Sequence, residues 1–234
     1  MKNSFFIIII LVFSLRMQAQ EAEIKDYIDR SGVAVLLYTG KEELRYPSLI
    51  RGHPYLDTDQ YRDGDLMYAG RLYSGIRLRL NTHTDELTVL SPHYNDIIVS
   101  SDLMEYARLP EYTIIYNREF PKNEVKTGNA LPSGYYARMA TKKYPVYRRE
   151  VRYPTRSTDG IYVELVFKMQ SRLYIYKDGI YHSVRSKGSV LKLFKDKKKE
   201  LNRYAKQTGL SFGNDRVNAV VALVRYYESI TENP

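Results

Sequence analysis

The sequence predicts an α+β protein in which an antiparallel β-sheet precedes a C-terminal α-hairpin. Short runs of β-branched and aromatic residues recur with alternating polarity along most of the chain. The pair Asp178 and Gly179 separates two such runs by only two residues, which is typical of a tight β-hairpin. From Val190 onward, the apolar residues instead repeat with the period of a helix.

Before the sheet, residues 1–19 have the pattern of a secretory signal peptide. Lys2 supplies a positive start, residues 5–15 form an apolar stretch, and Ala19 precedes the expected cleavage point. As a helix this stretch would be about 16 Å long, whereas a bilayer core is about 30 Å thick. An uncleaved anchor is the alternative. We therefore expect an exported mature chain that contains no transmembrane segment.

Cysteine is absent from the chain. This excludes disulfides, thiol nucleophiles, iron–sulfur clusters and thiolate zinc sites. It also excludes a lipidated N-terminal cysteine, so we expect an exported protein that is not a lipoprotein. We also expect that the protein carries no cofactor. Without disulfides, the hydrophobic core alone must stabilise the fold, which is feasible for a domain of this size.

We expect one β-rich domain over 20–185 and a helical hairpin over 186–234 that packs on the sheet. The predicted strands before the tight hairpin are 32–38, 66–68, 73–80, 87–90, 97–99, 112–116, 135–140, 146–151 and 162–167. Most prolines fall between these runs, where strands end. The spacing of the runs fits a meander, an open barrel or a sandwich.

The two-residue turn also predicts how its flanking strands pair: Tyr176 with Tyr181, Ile175 with His182 and Leu173 with Val184. Aliphatic side chains then share one face of the hairpin, and Tyr174, Tyr176 and Tyr181 share the other. Tyrosine rings stack on sugars and bases, so this second face is a candidate aromatic binding surface. The alternative is that the C-terminal helices cover it.

The formal net charge of the chain is +9, and it falls to +7 without Lys2 and Arg16. Residues 185–206 contain nine basic and two acidic residues, a net charge of +7. The remainder of the mature chain is therefore formally neutral. A uniformly basic surface would favour nucleic-acid binding. A local one favours a single cationic surface, and the export signal further argues against a nucleic-acid partner.

We expect this segment to be one helix, with Ser189 as its N-cap and its end at Thr208 and Gly209. In such a helix, the basic residues lie opposite the apolar face. The predicted anion-binding or partner-binding residues are Lys187, Lys192, Lys195, Lys199, Arg203 and Lys206. Lys197 and Lys198 lie nearer the apolar side and are expected to extend outward. Asn214 is the predicted N-cap of the second helix. A solvated helix face would show the same charge pattern.

No nucleophile–base pair is visible, because the motifs of zinc proteases and serine hydrolases are missing and the four histidines lack metal-ligand spacing. The densest acidic cluster comprises Asp57, Asp59, Asp63 and Asp65. It is a weak candidate for calcium, because the spacing of an EF-hand loop is not met. A carboxylate-based glycan hydrolase would draw its acid and base from the same loop, 57–65.

The segments "YSGIRLRLNTHTDELTVL" and "YHSVRSKGSVLKLF", together with the signal peptide ending in Ala-Gln, resemble uncharacterised exported proteins of Bacteroidetes-type bacteria. The resemblance implies the periplasm or the cell surface of a Gram-negative bacterium, and it carries no activity or functional residue. We therefore expect a non-catalytic cell-envelope module that contacts an envelope protein or an anionic glycan such as lipopolysaccharide. The alternative is an envelope enzyme that acts on glycans.

Overall fold

The structure is a computed structural model that describes residues 36–47, 49–118, 131–158 and 164–232. The chain forms two compact units, Met1–Lys41 and Glu42–Pro234. In the first unit, residues 36–38 are helical, so the end of the strand predicted over 32–38 is wrong. A short apolar run is compatible with either conformation. The rest of that run and the signal peptide predicted over 1–19 lie outside the described residues.

The described part of the second unit contains one sheet of eleven strands. The strands are β1 (Ile50–Arg51), β2 (Arg62–Tyr68), β3 (Arg71–Asn81), β4 (Glu86–Leu90), β5 (Asp96–Ile98), β6 (Met104–Arg108), β7 (Tyr112–Asn117), β8 (Gly134–Met139), β9 (Val146–Ser157), β10 (Glu164–Lys177) and β11 (Ile180–Val184). Each strand predicted between residues 66 and 167 overlaps one of these. The sequence does not predict β1 and β6, which are short and of mixed polarity.

Two meanders, joined edge to edge, make up the sheet. Strands β2 to β5 pair in chain order, β6 to β10 do the same, and β2 pairs with β6 to join them. The pairings between strands are antiparallel except that of β1, which lies parallel to β10. All eleven strands therefore belong to one continuous sheet rather than to the two sheets of a sandwich.

The sheet is strongly curled, as contacts between distant strands show. Four strands separate β9 from β3 in the sheet order, yet β9 contacts the turn between β3 and β4. The backbone N–H of Arg152 donates to the carbonyl oxygen of Thr82 at 3.2 Å. The Arg149 guanidinium lies 3.0 Å from the carboxylate of Asp85. Gly134 permits this approach, because it has a φ of +130° and a Cβ atom there would overlap both side chains. Charged residues distant in sequence thus meet on β9.

Three helices and one 3-10 turn follow the sheet: α1 (Lys187–Leu193), the 3-10 turn (Lys195–Lys197), α2 (Lys198–Gln207) and α3 (Arg216–Glu232). They confirm the α+β class. The prediction of one uninterrupted first helix is wrong, however, because the helix breaks at Phe194. The Phe194 side chain is fully buried, with its ring centroid 4.2 Å from that of Tyr227 and 5.3 Å from that of Tyr144. Among the described residues, no helix is long and apolar enough to cross a membrane.

The helix caps differ slightly from those predicted. Ser186, rather than Ser189, caps α1, and the two serines form a capping box in which each side chain accepts from the other's backbone N–H. Asp215, rather than Asn214, caps α3 through its carboxylate, which accepts from the N–H of Asn218 at 3.4 Å. Helix α2 ends as predicted, with Gly209 in the left-handed region.

Glu228 of α3 attaches the helices to the turn between β8 and β9. Its side chain is buried, and its carboxylate accepts hydrogen bonds from the backbone N–H groups of Lys142, Lys143 and Tyr144 at 3.1, 2.7 and 2.8 Å. A carboxylate that satisfies three backbone donors fixes both the turn and the helix. The helical region is therefore held to the sheet by a polar contact as well as by its apolar face.

Candidate functional site

The hairpin of β10 and β11 has the predicted register, with Tyr176 opposite Tyr181 and Leu173 opposite Val184. Asp178 and Gly179 both have positive φ, as the two-residue turn requires. Leu173 and Val184 are buried, and α1 contacts β11. The helices therefore pack on the aliphatic side of the hairpin.

On the tyrosine face of the hairpin, the rings pack against Leu131 and against tyrosines of the sheet. Tyr174 is buried against Tyr136, Tyr147 and Leu131, and Tyr176 and Tyr181 pack half-buried against the same cluster. The Tyr181 ring centroid lies 4.7 Å from that of Tyr176 and 5.5 Å from that of Tyr147. Strand residues on the same face thus support these rings, and little of Tyr174 is left for stacking on a ligand.

The basic residues of the helical segment remain on the surface despite the break at Phe194. The exposed ones, termed the cationic helix surface, are Lys192, Lys195, Lys198, Lys199, Arg203 and Lys206. Lys187 and Lys197 are half-buried. None of these side chains forms an ion pair with a carboxylate in the described part of the chain. Asp196, between them, instead accepts a hydrogen bond from the Tyr227 hydroxyl at 2.9 Å.

Three arginines of β9, Arg148, Arg149 and Arg152, have the opposite environment, because each has a carboxylate partner. Arg148 lies 2.7 Å from Asp57 and also contacts Glu150, whose carboxylate lies 3.0 Å from Arg152. The Glu150 side chain is fully buried. Arg149, on the other face of β9, pairs with Asp85. These residues form a neutral network that contributes no net charge to the surface.

Asp57 belongs to this network rather than to a metal site. Burial raises the pKa of Asp57, but Arg148 and a hydrogen bond from the Tyr112 hydroxyl outweigh burial and lower the pKa below its ordinary value. Asp59 and Asp63 are exposed. Within the described ranges, no group of three or more acidic or histidine side chains is placed to hold a metal ion, and the calcium candidate Asp57, Asp59, Asp63 and Asp65 forms no such group.

A second buried ionic cluster surrounds Arg79. Its guanidinium lies between the rings of Tyr55 and Tyr61, 3.8 and 4.3 Å from their centroids, and 3.1 Å from the carboxylate of Glu43. Burial raises the pKa of Glu43, against the opposing effects of Asn81 and Arg79. A raised pKa suits a general acid, but the Glu43 side chain is only 5% exposed and its oxygens are occupied by Arg79 and Asn81. The cluster therefore offers no open site for a glycan.

Strand pairing places three arginines side by side on the tyrosine face. Arg149 of β9 is the cross-strand partner of Arg172 on β10. Because Leu173 pairs with Val184, continuing the register by one residue places Arg185 opposite Arg172. We term Arg149, Arg172 and Arg185 the arginine row. Only Arg149 has an acidic partner among the described residues, namely Asp85.

A pocket of about 550 Å³ lies beside this row, at the edge of β10. Arg172, Arg185 and Arg216 line it together with Tyr174 and Tyr181, and none of the described residues lining it is acidic. We term it the arginine pocket. A second pocket of about 360 Å³, by contrast, includes Glu111 among its lining residues. Arg172 and Arg216 are not among the site residues predicted from the sequence, although the predicted hairpin register implies that Arg172 and Arg185 face each other.

Comparison of the chain with protein-family models, with curated proteins and with solved structures finds no match. The chemistry of these two surfaces therefore carries the functional argument. The cationic helix surface and the arginine pocket both hold positive charge that no carboxylate of the described residues offsets.

Proposed function

We propose that this protein is a non-catalytic binding module of the cell envelope that holds an anionic polymer on its cationic helix surface. The observation that carries the proposal is the exposure of six basic side chains on α1, the 3-10 turn and α2, none of them paired with a carboxylate of the described residues. Acidic polysaccharides, lipopolysaccharide cores and peptidoglycan are polymers of the matching charge.

The distribution of charge supports a dedicated surface. Residues 185–206 carry a formal charge of +7, whereas on β9 the charges of Arg148, Arg149 and Arg152 are offset by Asp57, Asp85 and Glu150. Lysines and arginines that lie on one surface attract a polyanion through long-range electrostatics and through release of its counterions. The location in the envelope rests on the signal-peptide pattern of residues 1–19 and on the resemblance to exported proteins.

The proposal is tested by binding of the full chain to a long polyuronate at low and at physiological salt. We expect the affinity to fall steeply with rising salt, because the contact is electrostatic. Reversal of three charges, Lys195→Glu, Lys199→Glu and Arg203→Glu, should weaken binding by about tenfold or more.

The matched control reverses three exposed basic residues outside the helices, Arg45→Glu, Arg71→Glu and Arg156→Glu. It changes the net charge by the same amount and should retain most of the affinity. Equal losses in the two triple variants would mean that only net charge matters, and this result would contradict a dedicated helix surface. An affinity that is insensitive to salt would contradict it as well.

A further inference from the structure

The arginine pocket lies in a notch on the outer edge of β10. Along that edge, β1 pairs with Leu165 and Val166, and β11 pairs with residues 173–177, so 167–172 lie between the two partner strands. At the end of the notch β11 stops at Val184, and Arg216 of α3 closes the wall. Its Nη2 donates to the carbonyl oxygen of Ser171 at 2.6 Å, which fixes the guanidinium in place.

The walls of the pocket carry an excess of positive charge. Like charges on cross-strand neighbours repel each other, and in the arginine row only Arg149 is offset by an acidic partner among the described residues. In the same wall, the buried Nε of Arg216 and the buried Oγ of Ser171 have no hydrogen-bond partner within the described part of the protein. The exposed guanidinium groups of Arg172 and Arg185, which have no acidic partner among the described residues, are favourable for an anionic ligand.

We propose that the arginine pocket binds a single acidic sugar unit, with its carboxylate or phosphate held by Arg172 and Arg185. The planar guanidinium group forms paired hydrogen bonds with either anion. The pocket volume of about 550 Å³ lies in the range of small-molecule sites. The half-buried ring of Tyr181, beside Tyr174, supplies an apolar wall of the kind that packs against a sugar ring.

The pocket depends on the proposed function in one respect: its sugar is a unit of the same anionic polymer that the helix surface binds. Arg185 lies two residues before α1 begins at Lys187, so the pocket and the basic helical segment adjoin along the chain. A polymer on the helix surface would thus present one of its units to the pocket. The helix surface provides affinity that falls with salt, and the pocket selects sugars that carry an anionic group.

Calorimetric titration of the full chain with four probes tests the inference: a uronic-acid trisaccharide, its uncharged counterpart, a sugar phosphate and inorganic phosphate. We expect at least one acidic sugar to bind, and the uncharged trisaccharide and inorganic phosphate to bind at least tenfold more weakly. The double variant Arg172→Gln and Arg185→Gln should weaken acidic-sugar binding by at least tenfold. Arg156→Gln, an exposed arginine of β9 outside the pocket, should leave binding unchanged.

A Tm equal to or slightly above that of the unaltered protein is expected for the double variant, which separates a binding role from a structural one. Arg172→Lys keeps the charge but loses the paired geometry, so its loss of affinity should be intermediate. Failure of both acidic sugars to bind, equal binding by the double variant, or equally tight binding of inorganic phosphate would overturn the inference.

The triple helix variant distinguishes this inference from the proposed function. It should lose the long polyuronate and retain the trisaccharide. Binding of the polymer without binding of any short acidic sugar would overturn the pocket and leave the helix surface standing. Binding of a short acidic sugar without any binding of the polymer would overturn the helix surface and leave the pocket standing.

Discussion

Arg149 on β9 and Arg172 on β10 are cross-strand neighbours, yet their surroundings differ in one chemical respect. Arg149 lies against the carboxylate of Asp85, and the same strand supplies Arg148 and Arg152 with Glu150. Around the arginine pocket, Arg172 and Arg185 are exposed and have no acidic partner in the described residues. One strand away from a neutral network, the sheet therefore presents uncompensated positive charge.

The difference follows from burial. A guanidinium removed from water needs a carboxylate, because leaving it unpaired costs several kcal/mol, roughly the stability of a whole domain. An exposed guanidinium keeps its hydration and needs no partner, so it is available to bind an external anion. The paired arginines of β9 thus contribute to the fold, and we infer that those of the pocket contribute to binding. The following predictions test that division, from the largest expected effect to the smallest.

Glu150→Gln should cause the largest loss of stability, about 3 kcal/mol or more, because it leaves Arg148 and Arg152 largely buried beside a neutral amide. Urea denaturation measures the free energy of unfolding. The control Glu164→Gln removes a carboxylate that pairs with Arg51 on the surface and should cost less than about 0.5 kcal/mol. A similar small effect at both positions would show that burial does not govern the β9 network.

Gly134→Ala should cost about 2 kcal/mol or more, because the added methyl group overlaps Arg149 and Asp85 and separates the pair. The matched control is Gly70→Ala, where φ is also positive but no atom lies near the added methyl group. It should cost only about 1 kcal/mol, the backbone strain alone. Equal losses, again measured with urea, would mean that the Arg149–Asp85 contact is not tightly packed.

Acid should weaken the β9 network through Asp57. Its folded-state pKa lies below the unfolded value of about 3.9, so its ionised form stabilises the fold at higher pH. This contribution is lost as the pH falls through the folded-state pKa. The stability difference between the unaltered protein and Asp57→Asn should therefore shrink between pH 7 and pH 3. The side chain is 34% exposed, so we expect a change below about 1 kcal/mol.

Urea titrations at the two pH values measure this narrowing. The control is Asp63→Asn, which replaces an exposed carboxylate of β2 that has no ion pair among the described residues. A difference between the unaltered protein and Asp57→Asn that stays constant or widens toward pH 3 would contradict the stabilising role of the Asp57–Arg148 pair.

Arg172→Gln should have the smallest effect and the opposite sign. Removing one charge from the arginine row relieves repulsion between cross-strand neighbours, which we expect to raise the free energy of unfolding by a few tenths of a kcal/mol. Arg156→Gln, on the same sheet and away from the row, should change it by less. A loss of about 1 kcal/mol or more in Arg172→Gln would assign Arg172 to the fold rather than to binding.

Local chemistry made part of this organisation predictable from the sequence. Asp178 and Gly179 determine the turn, and the turn determines the register that places Arg172 opposite Arg185. The charge of residues 185–206 and the exposure of most of its lysines also follow from composition and helical periodicity. These features depend on residues that are close together in the chain.

Contacts between distant residues could not be predicted. Asp57 and Arg148 are 91 residues apart, and they meet only because the sheet curls. Phe194, where the helix breaks, packs against Tyr144 and Tyr227, and Arg216 reaches the pocket only through the position of α3. Periodicity within a segment carries no information on such tertiary contacts, so the neutral network and the third arginine of the pocket emerge only from the structure.

The most direct measurement of the central claim follows the Nε–H signals of the arginine side chains by NMR during titration with a short acidic saccharide. Arg172 and Arg185 should shift with a common saturation curve, whereas Arg148 and Arg152 should stay fixed because Glu150 already occupies them. Unchanged signals of Arg172 and Arg185, or equal shifts in both groups, would contradict the division between structural and ligand-binding arginines.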